Sequence, residues 1–236
     1  MSEWKAKRFW KEALVTEAEG GFTVTLDGRA VKTPAKTLLV VPTQTFAEAI
    51  AAEWGAQDDV IDPLSMPFTR SANAALDKVA VQHAEVADML AAYGDSDLLC
   101  YRAEFPDVLV ARQAAQWDPM LDWAEKTLSV RLETRSGVMH APQAPQALAE
   151  LAQRVHRMSS FELAGFHDLV SLSGSLILAF AAALDHKPAK AIWDISRLDE
   201  IWQAEEWGQD DEAEATAALK EAAFLHAKQV FDLSRA

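Results

Sequence analysis

The chain has 236 residues, half of them hydrophobic and a quarter charged, which is the usage of an ordinary folded globular protein. Its 36 acidic residues outnumber its 22 basic residues and give a net charge of −14. Binding to nucleic acid or to an anionic membrane requires clustered Lys and Arg, so this charge argues against both. The single cysteine excludes an intramolecular disulfide.

The sequence from Phe9 to about Val41 has the pattern of a small antiparallel sheet. Phe22, Val24 and Leu26 alternate with threonines, and Asp27-Gly28 follows directly. An Asp-Gly pair between two such runs predicts a type I′ hairpin, because both central residues of that turn need positive φ. A later apolar run that ends before a proline predicts the last strand of the sheet.

Beyond this sheet the periodicity becomes helical. Thr45 and Glu48 have capping-box spacing, and apolar residues follow at four-residue steps. A Pro-rich connector over 62–67 predicts a domain boundary. We therefore predict an α+β fold, with a small N-terminal antiparallel β-sheet domain with a helix over 1–63. A larger all-helical domain, an orthogonal bundle, is predicted over 64–236.

The positions of Pro and Gly predict where the helices of the second domain begin and end. Helices are expected at 67–92 with a possible break, 107–128, 144–158, 160–184, 187–206 and 211–234. Gly174 lies inside an apolar helix in this prediction, which favours close packing of another backbone against it. A short β segment is predicted within 130–140. The uncharged run over 169–184 is too short to span a bilayer and predicts a buried helix.

Motifs that carry chemistry are absent from the sequence. It contains no GxxxxGK[ST] loop, no GxGxxG after a strand and no HExxH pair, and its six histidines are scattered. Apolar neighbours predict that Cys100 is a buried thiol and not a nucleophile. The acidic segment 95–97 predicts a helix N-cap. These residues give no support to a catalytic or metal site.

The strongest signal is the segment from Asp194 to Glu214, which has nine acidic residues and one basic residue, Arg197. Its net charge of −8 is more than half of the chain's −14. Trp202 and Trp207 lie within it, and concentrated charge with tryptophan is typical of a protein-binding surface. The alternative is a solvated helix face. A spacing of five also predicts that the two indole rings point in different directions on an ideal helix.

Six blocks of sequence follow one another in an order that is more specific than any single block. They are RFWKEALV at 8–15, LDGRAVKTPAKTLLVVPT at 26–43, AIAAEWGAQ at 49–57, YGDSDLLCYRAE at 93–104, QWDPMLDWAE at 116–125 and LDEIWQAEEWGQDDEA at 198–213. Together, over nearly the whole chain, they resemble the ATP synthase assembly chaperones that bind the free alpha subunit of the catalytic F(1) head.

This resemblance implies a molecular chaperone and not an enzyme, with no bound cofactor and no metal. It implies that the alpha subunit of ATP synthase is a transient partner, shielded until the beta subunit replaces it, with no nucleic acid partner and no membrane insertion. A chain that opens directly into the first block is expected to be a bacterial, cytoplasmic member, whereas related members occur in the mitochondrial matrix.

The resemblance also points to acidic residues of the C-terminal helices as the partner-binding site. The residues of the matching block are Glu200, Trp202, Glu205, Glu206, Trp207, Asp210 and Asp211. Glu205 or Glu206 is the favoured partner for an Arg or Lys of the alpha subunit. In a second interpretation, the two tryptophans pack the helix against its own core.

Two other functions stay open from the sequence. One is a small-molecule-binding protein or enzyme with a site in the cleft between the two domains. The other is a structural subunit that remains in a permanent complex.

Overall fold

A computed structural model describes residues 7–208 and 210–235. The chain divides into two compact units. Unit 1 contains the described residues up to His83, together with Ser159–Gly165 and the described residues from Gln229 onward. Unit 2 contains Ala84–Met158 and Phe166–Lys228.

Unit 1 is built on an antiparallel sheet and two helices. Its elements are β1 (Ala13–Ala18), β2 (Gly21–Leu26), β3 (Arg29–Ala30), β4 (Val40–Val41), α1 (Gln44–Gly55), α2 (Pro67–Ala74) and a π-helical turn (Ala75–Val79) directly after α2. Strand β2 is central, with β1 along one edge and both β3 and β4 along the other. The predicted sheet is therefore confirmed.

The hairpin between β2 and β3 has the predicted turn. Asp27 and Gly28 both adopt positive φ, 48° and 80°, as a type I′ turn requires. The amides of Glu12 and Lys11 donate hydrogen bonds to the Asp27 carboxylate at 3.0 and 3.1 Å and lower its pKa. The turn residue thus ties the chain before β1 to the hairpin.

Helix α1 begins earlier than predicted. The N-cap is Thr43 and not Thr45, because the Thr43 hydroxyl accepts a hydrogen bond from the Phe46 amide at 3.2 Å. Glu48, the predicted second member of a capping box, instead accepts from the Gln44 side chain at 2.8 Å. The Thr43 hydroxyl also donates to the Leu233 carbonyl at 2.5 Å.

The core of unit 1 forms between the sheet and α1, and α2 belongs to the same unit. Phe46 is fully buried, and the Phe68 and Phe161 rings meet its ring at centroid distances of 6.4 and 6.0 Å. The amides of Phe68 and Thr69 donate to the Glu53 carboxylate of α1 at 2.6 and 2.8 Å. Partial burial raises the pKa of Glu53. The predicted domain boundary after residue 63 therefore falls inside unit 1.

The remaining elements follow α2 in chain order. They are α3 (His83–Ala91), β5 (Tyr101–Arg102), α4 (Asp107–Leu128), β6 (Arg135–Ser136), α5 (Pro145–His156), α6 (Ser160–Ser173), α7 (Leu176–Ala183), α8 (Ala189–Ser196), α9 (Leu198–Trp207) and α10 (Asp211–Leu233). Strands β5 and β6 form a two-residue parallel pair, which confirms a β segment within 130–140. Over the described part of the chain, no helix combines the length and apolarity needed to cross a membrane.

The predicted helix over 160–184 is wrong, because it is two helices, α6 and α7. Gly174 separates them with a φ of +69°, and an added Cβ would meet only Leu98 at 3.9 Å. The glycine is needed for its backbone conformation and not for close packing. The Ser175 hydroxyl then caps α7 by accepting from the Leu178 amide at 3.0 Å. The predicted helix over 187–206 is likewise two, α8 and α9, joined at Arg197.

Helix α7 is the central helix of unit 2. All eight of its residues are buried, so it forms the apolar layer against which α4 and α8 pack. Trp117 of α4 is fully buried, and its indole N–H donates to the Ile195 carbonyl of α8 at 3.0 Å. This bond satisfies the one polar group of a tryptophan side chain that is fully buried.

A buried carboxylate holds the turn between α6 and α7. Asp97 has no solvent exposure and accepts hydrogen bonds from the Leu99 amide at 3.0 Å, the Ser175 hydroxyl at 2.7 Å and the Ile177 amide at 3.0 Å. Burial raises its pKa from the ordinary 3.8 to about 6, against the lowering effect of these donors. The predicted N-cap in segment 95–97 is confirmed at Asp97, which caps the short 3-10 helix Leu98–Cys100.

We expect Asp97→Asn to lower the free energy of unfolding by about 2 kcal/mol at about pH 7, because an amide leaves one of the three donors unpaired. The folded-state pKa of Asp97 lies above its unfolded-state value, so the stability contributed by this group increases as pH falls from about 6 to about 4. The asparagine variant lacks that gain. The difference in free energy of unfolding between wild type and Asp97→Asn should therefore be about 1 kcal/mol larger at about pH 5 than at about pH 7. Urea unfolding at the two pH values measures it.

The control for this prediction is Glu85→Gln, which changes an exposed acid of α3. Its difference from wild type should be the same at both pH values. If the difference in free energy of unfolding between wild type and Asp97→Asn is the same or smaller at about pH 5, the pKa of Asp97 is not raised in the folded protein.

Candidate protein-binding surface

Helix α9 is fixed to α4 by polar contacts at two positions. The Asp199 carboxylate accepts from the Gln113 side chain at 2.8 Å. Farther along α9, the Arg112 guanidinium makes a bidentate ion pair with Glu205, in which Nη2 donates to Oε1 at 3.0 Å. Leu198 is buried beneath them. These contacts determine which face of α9 is exposed to solvent.

Three of the predicted binding carboxylates have partners within the chain. The hydrogen bond from Arg112 lowers the pKa of Glu205, and the same bond raises the pKa of Arg112. Glu200 forms an ion pair with Arg197 one turn earlier. Asp210 caps α10, where its carboxylate accepts from the Ala213 amide at 2.8 Å. Each of these groups has a local structural role.

The other two predicted carboxylates are available to a partner. Glu206 and Asp211 are exposed, and over the part of the chain that the structure describes neither forms an ion pair. Glu205 and Glu206 are adjacent in sequence, yet only Glu205 faces Arg112. Of the two glutamates, Glu206 is therefore the one without an ion-pair partner among the described residues.

The two tryptophans of α9 contact each other. The rings of Trp202 and Trp207 meet edge to face, with centroids 5.7 Å apart and an interplanar angle of 77°. The prediction that they point in different directions is wrong, because the long side chains reach across the five-residue spacing at the end of the helix. Trp202 is half-buried, whereas Trp207 is 75% exposed. Trp202 therefore supports Trp207, and Trp207 faces solvent.

A groove opens between α9 and the first half of α10, with a volume of about 1070 Å³. It is lined by residues of α8, α9 and α10 and by the connection between the last two. They are Trp193, Asp194, Arg197, Glu200, Ile201, Ala204, Glu205, Gly208, Asp210, Glu212, Ala213, Glu214, Thr216, Ala217, Lys220 and Glu221. Sequence reasoning missed this groove. The spacing of Ala213 and Ala217 on α10 was the signal available, but it depends on knowing that α9 lies opposite.

The described residues form no arrangement suited to catalysis by a thiol or a metal. Cys100 is buried, and burial, with Asp97 nearby, raises the pKa of its thiol to about 12. Across residues 7–208 and 210–235, no group of three or more His, Cys, Asp or Glu side chains is placed to hold a metal ion. The features concentrated on α9 and α10 are exposed charge, an exposed indole ring and an open groove. These are the features of a protein that binds other proteins.

Comparison with known proteins agrees with this class. The family model described as ATP12 chaperone protein matches residues 7–125. The chain therefore belongs to the ATP12 chaperone family.

Solved structures extend the similarity along the chain. The crystal structure of Atp12 from Paracoccus denitrificans matches with a TM-score of 0.96 and 47% identity, covering 99% of this chain and 100% of that one. A structure of an aspartate-to-lysine mutant of the same bacterial protein matches equally well. The mitochondrial protein atp12 of Schizosaccharomyces pombe is 24% identical over 219 residues, which are 88% of this chain and 75% of the yeast protein.

We expect Trp207→Ala to change the free energy of unfolding by less than about 1 kcal/mol, because the ring is largely in solvent and contacts mainly Trp202. Trp117→Ala should cost about 3–5 kcal/mol, since it removes a fully buried side chain and its hydrogen bond. Chemical denaturation of wild type and of both variants measures the two changes in free energy of unfolding. Similar losses for the two would show that Trp207 is a core residue.

We expect Arg112→Ala to raise the pKa of Glu205 toward the ordinary glutamate range, because the guanidinium supplies the hydrogen bond that lowers it. Carboxyl carbon shifts followed by NMR during a pH titration measure this pKa directly. Arg131→Ala, which breaks a different exposed ion pair with Asp122, is the matched control and should leave Glu205 unchanged. A Glu205 pKa that is the same in all three proteins would exclude the ion pair in solution.

Proposed function

We propose that this chain is an assembly chaperone for the catalytic F(1) head of ATP synthase. It binds the unassembled alpha subunit and shields it until the beta subunit takes its place. The observation that supports this most strongly is membership of the ATP12 chaperone family. No cofactor and no catalysis belong to the proposed role.

The physical task follows from the partner. An unassembled alpha subunit exposes an apolar interface that the beta subunit later covers, and exposed apolar surface of this kind aggregates. The chaperone need only bind more strongly than alpha subunits bind each other. A weaker contact than that of the finished complex lets the beta subunit displace it by mass action.

The proposed contact surface on this chain is the exposed side of α9 together with the start of α10. Glu206 and Asp211 supply charge that no described group neutralises, and Trp207 supplies a large ring in solvent. A charged rim around an aromatic ring suits reversible association, because the charges speed encounter and the ring supplies binding energy when it is covered. Arg or Lys residues of the alpha subunit are the proposed partners of the two carboxylates.

The proposed cellular setting is wherever the F(1) head is assembled. For this chain we propose the bacterial cytoplasm, in line with its similarity to the Paracoccus denitrificans protein. The Schizosaccharomyces pombe relative is a mitochondrial protein.

The proposal predicts that the purified chain co-elutes with isolated alpha subunit in size-exclusion chromatography and does not co-elute with beta subunit. Added salt should weaken the complex, because exposed charges contribute to it. Adding beta subunit should release the chain. The double variant Glu206→Lys with Asp211→Lys should bind alpha subunit roughly tenfold more weakly.

The matched control is Glu17→Lys with Glu19→Lys, which makes the same change in net charge at exposed positions of unit 1. It should bind alpha subunit like wild type. Equal weakening by both pairs would mean that net charge, and not the α9 surface, governs binding. Absence of any complex with alpha subunit at low salt would refute the proposed function, and retention of the chain in finished ATP synthase would replace it with a permanent structural role.

A further inference from the structure

We propose that the groove between α9 and α10 binds one helix of the partner, with a narrow apolar stripe flanked by Lys and Arg. This inference rests on the proposed function for the identity of the partner, which would be the alpha subunit. The chemistry of the bound segment is inferred from the groove itself. The groove is distinct from the Glu206 and Trp207 surface, since neither of those residues lines it.

The apolar lining follows one face of each helix. On α9, Ile201 and Ala204 are three residues apart and face the groove. On α10, Ala213 and Ala217 are four apart and face it from the other side. Trp193 of α8 also lines the groove. Three of these four wall residues are alanines, so a helix entering the groove can approach both walls closely.

The rim of the groove is acidic. Seven of its lining residues are carboxylates and two are cations. Glu212 and Glu214 on the α10 side form no ion pair over the described residues, and Glu205 on the α9 side is held in place by Arg112. An apolar floor between acidic edges complements a helix with an apolar stripe between basic residues.

The secondary structure of the walls selects a helix over an extended peptide. The walls are α9 and α10, whose backbone groups are mostly paired within each helix, so a strand laid in the groove would find few main-chain partners. A helix satisfies its own backbone groups, and with side chains it is about 10 Å across. Helix-in-groove binding is therefore the mode that this geometry supports.

The first half of α10 is exposed to solvent along its length. Every residue from Asp211 to Lys220 is exposed, including Leu219 at 74%. Ten helical residues with little buried surface depend on the Asp210 cap and on alanine propensity. A bound helix would bury the groove-facing side of this segment, which supplies the packing that it lacks.

The test uses the full chain and a fluorescent synthetic helix of about 18 residues, built from Leu and Lys with one apolar stripe. Fluorescence anisotropy should show binding that weakens as salt is added. Ala217→Trp places an indole ring in the groove and should weaken binding about tenfold, which is about 1.4 kcal/mol. Ala218→Trp is the matched control, because Ala218 is exposed on the next position of the same helix and does not line the groove.

Controls on the probe separate helix binding from charge attraction. A peptide of the same composition in scrambled order should bind at least about tenfold more weakly. Equal binding of scrambled and ordered peptides, equal effects of the two tryptophan substitutions, or no binding of the ordered peptide would each overturn the inference. A dimer of the chain alone that Ala217→Trp dissociates and Ala218→Trp does not would also overturn it, because a second copy would then fill the groove.

The alpha subunit distinguishes this inference from the proposed function. If wild-type chain binds alpha subunit and Ala217→Trp binds it equally well, the groove inference fails and the chaperone role stands. If the peptide enters the groove and alpha subunit does not bind at all, the chaperone role fails and the groove remains a helix-binding site for another protein.

Discussion

The contacts that α4 makes with the helices after α7 determine the geometry of the whole candidate surface. Trp117 donates a buried hydrogen bond to the backbone of α8, and one turn earlier Gln113 and Arg112 hold Asp199 and Glu205 of α9. The contacts become more exposed toward the start of α4. The buried bond is costly to break, whereas the outer ion pair is weak and screened by salt. The end of the candidate surface near Trp117 is therefore rigid, and the end near the Arg112–Glu205 ion pair is held more weakly.

Elements specified by neighbouring residues were predictable from the sequence. The Asp27-Gly28 turn needs only two adjacent residues with positive φ, and α4 has the predicted bounds because a proline precedes it and its apolar spacing is regular. The division between α6 and α7 was not predictable, since Gly174 inside an apolar run is compatible with a continuous helix. The start of α7 is held there by a buried carboxylate, Asp97, 78 residues before the Ser175 that it contacts. No sequence pattern near Gly174 indicates that Asp97 and Ser175 pair.

The same limit applies to the candidate surface. Its location was predicted from the concentration of charge and tryptophan between residues 194 and 214, which is a local property of composition. The different situations of Glu205 and Glu206 depend on Arg112, which lies 93 residues from Glu205. The groove depends on α9 and α10 lying side by side, which no spacing within one helix determines. The sequence therefore predicts the region, and the tertiary contacts distinguish the residues within it.

The exposed half of α10 has a consequence for how long a complex lasts. A helical segment whose residues are all exposed opens locally at little free-energy cost. A partner that orders it must offset that conformational entropy from its own contact energy, which lowers affinity without reducing the area of contact. Dissociation is then fast relative to the size of the interface. A chaperone benefits from fast release, because the protein that it binds then becomes available for assembly.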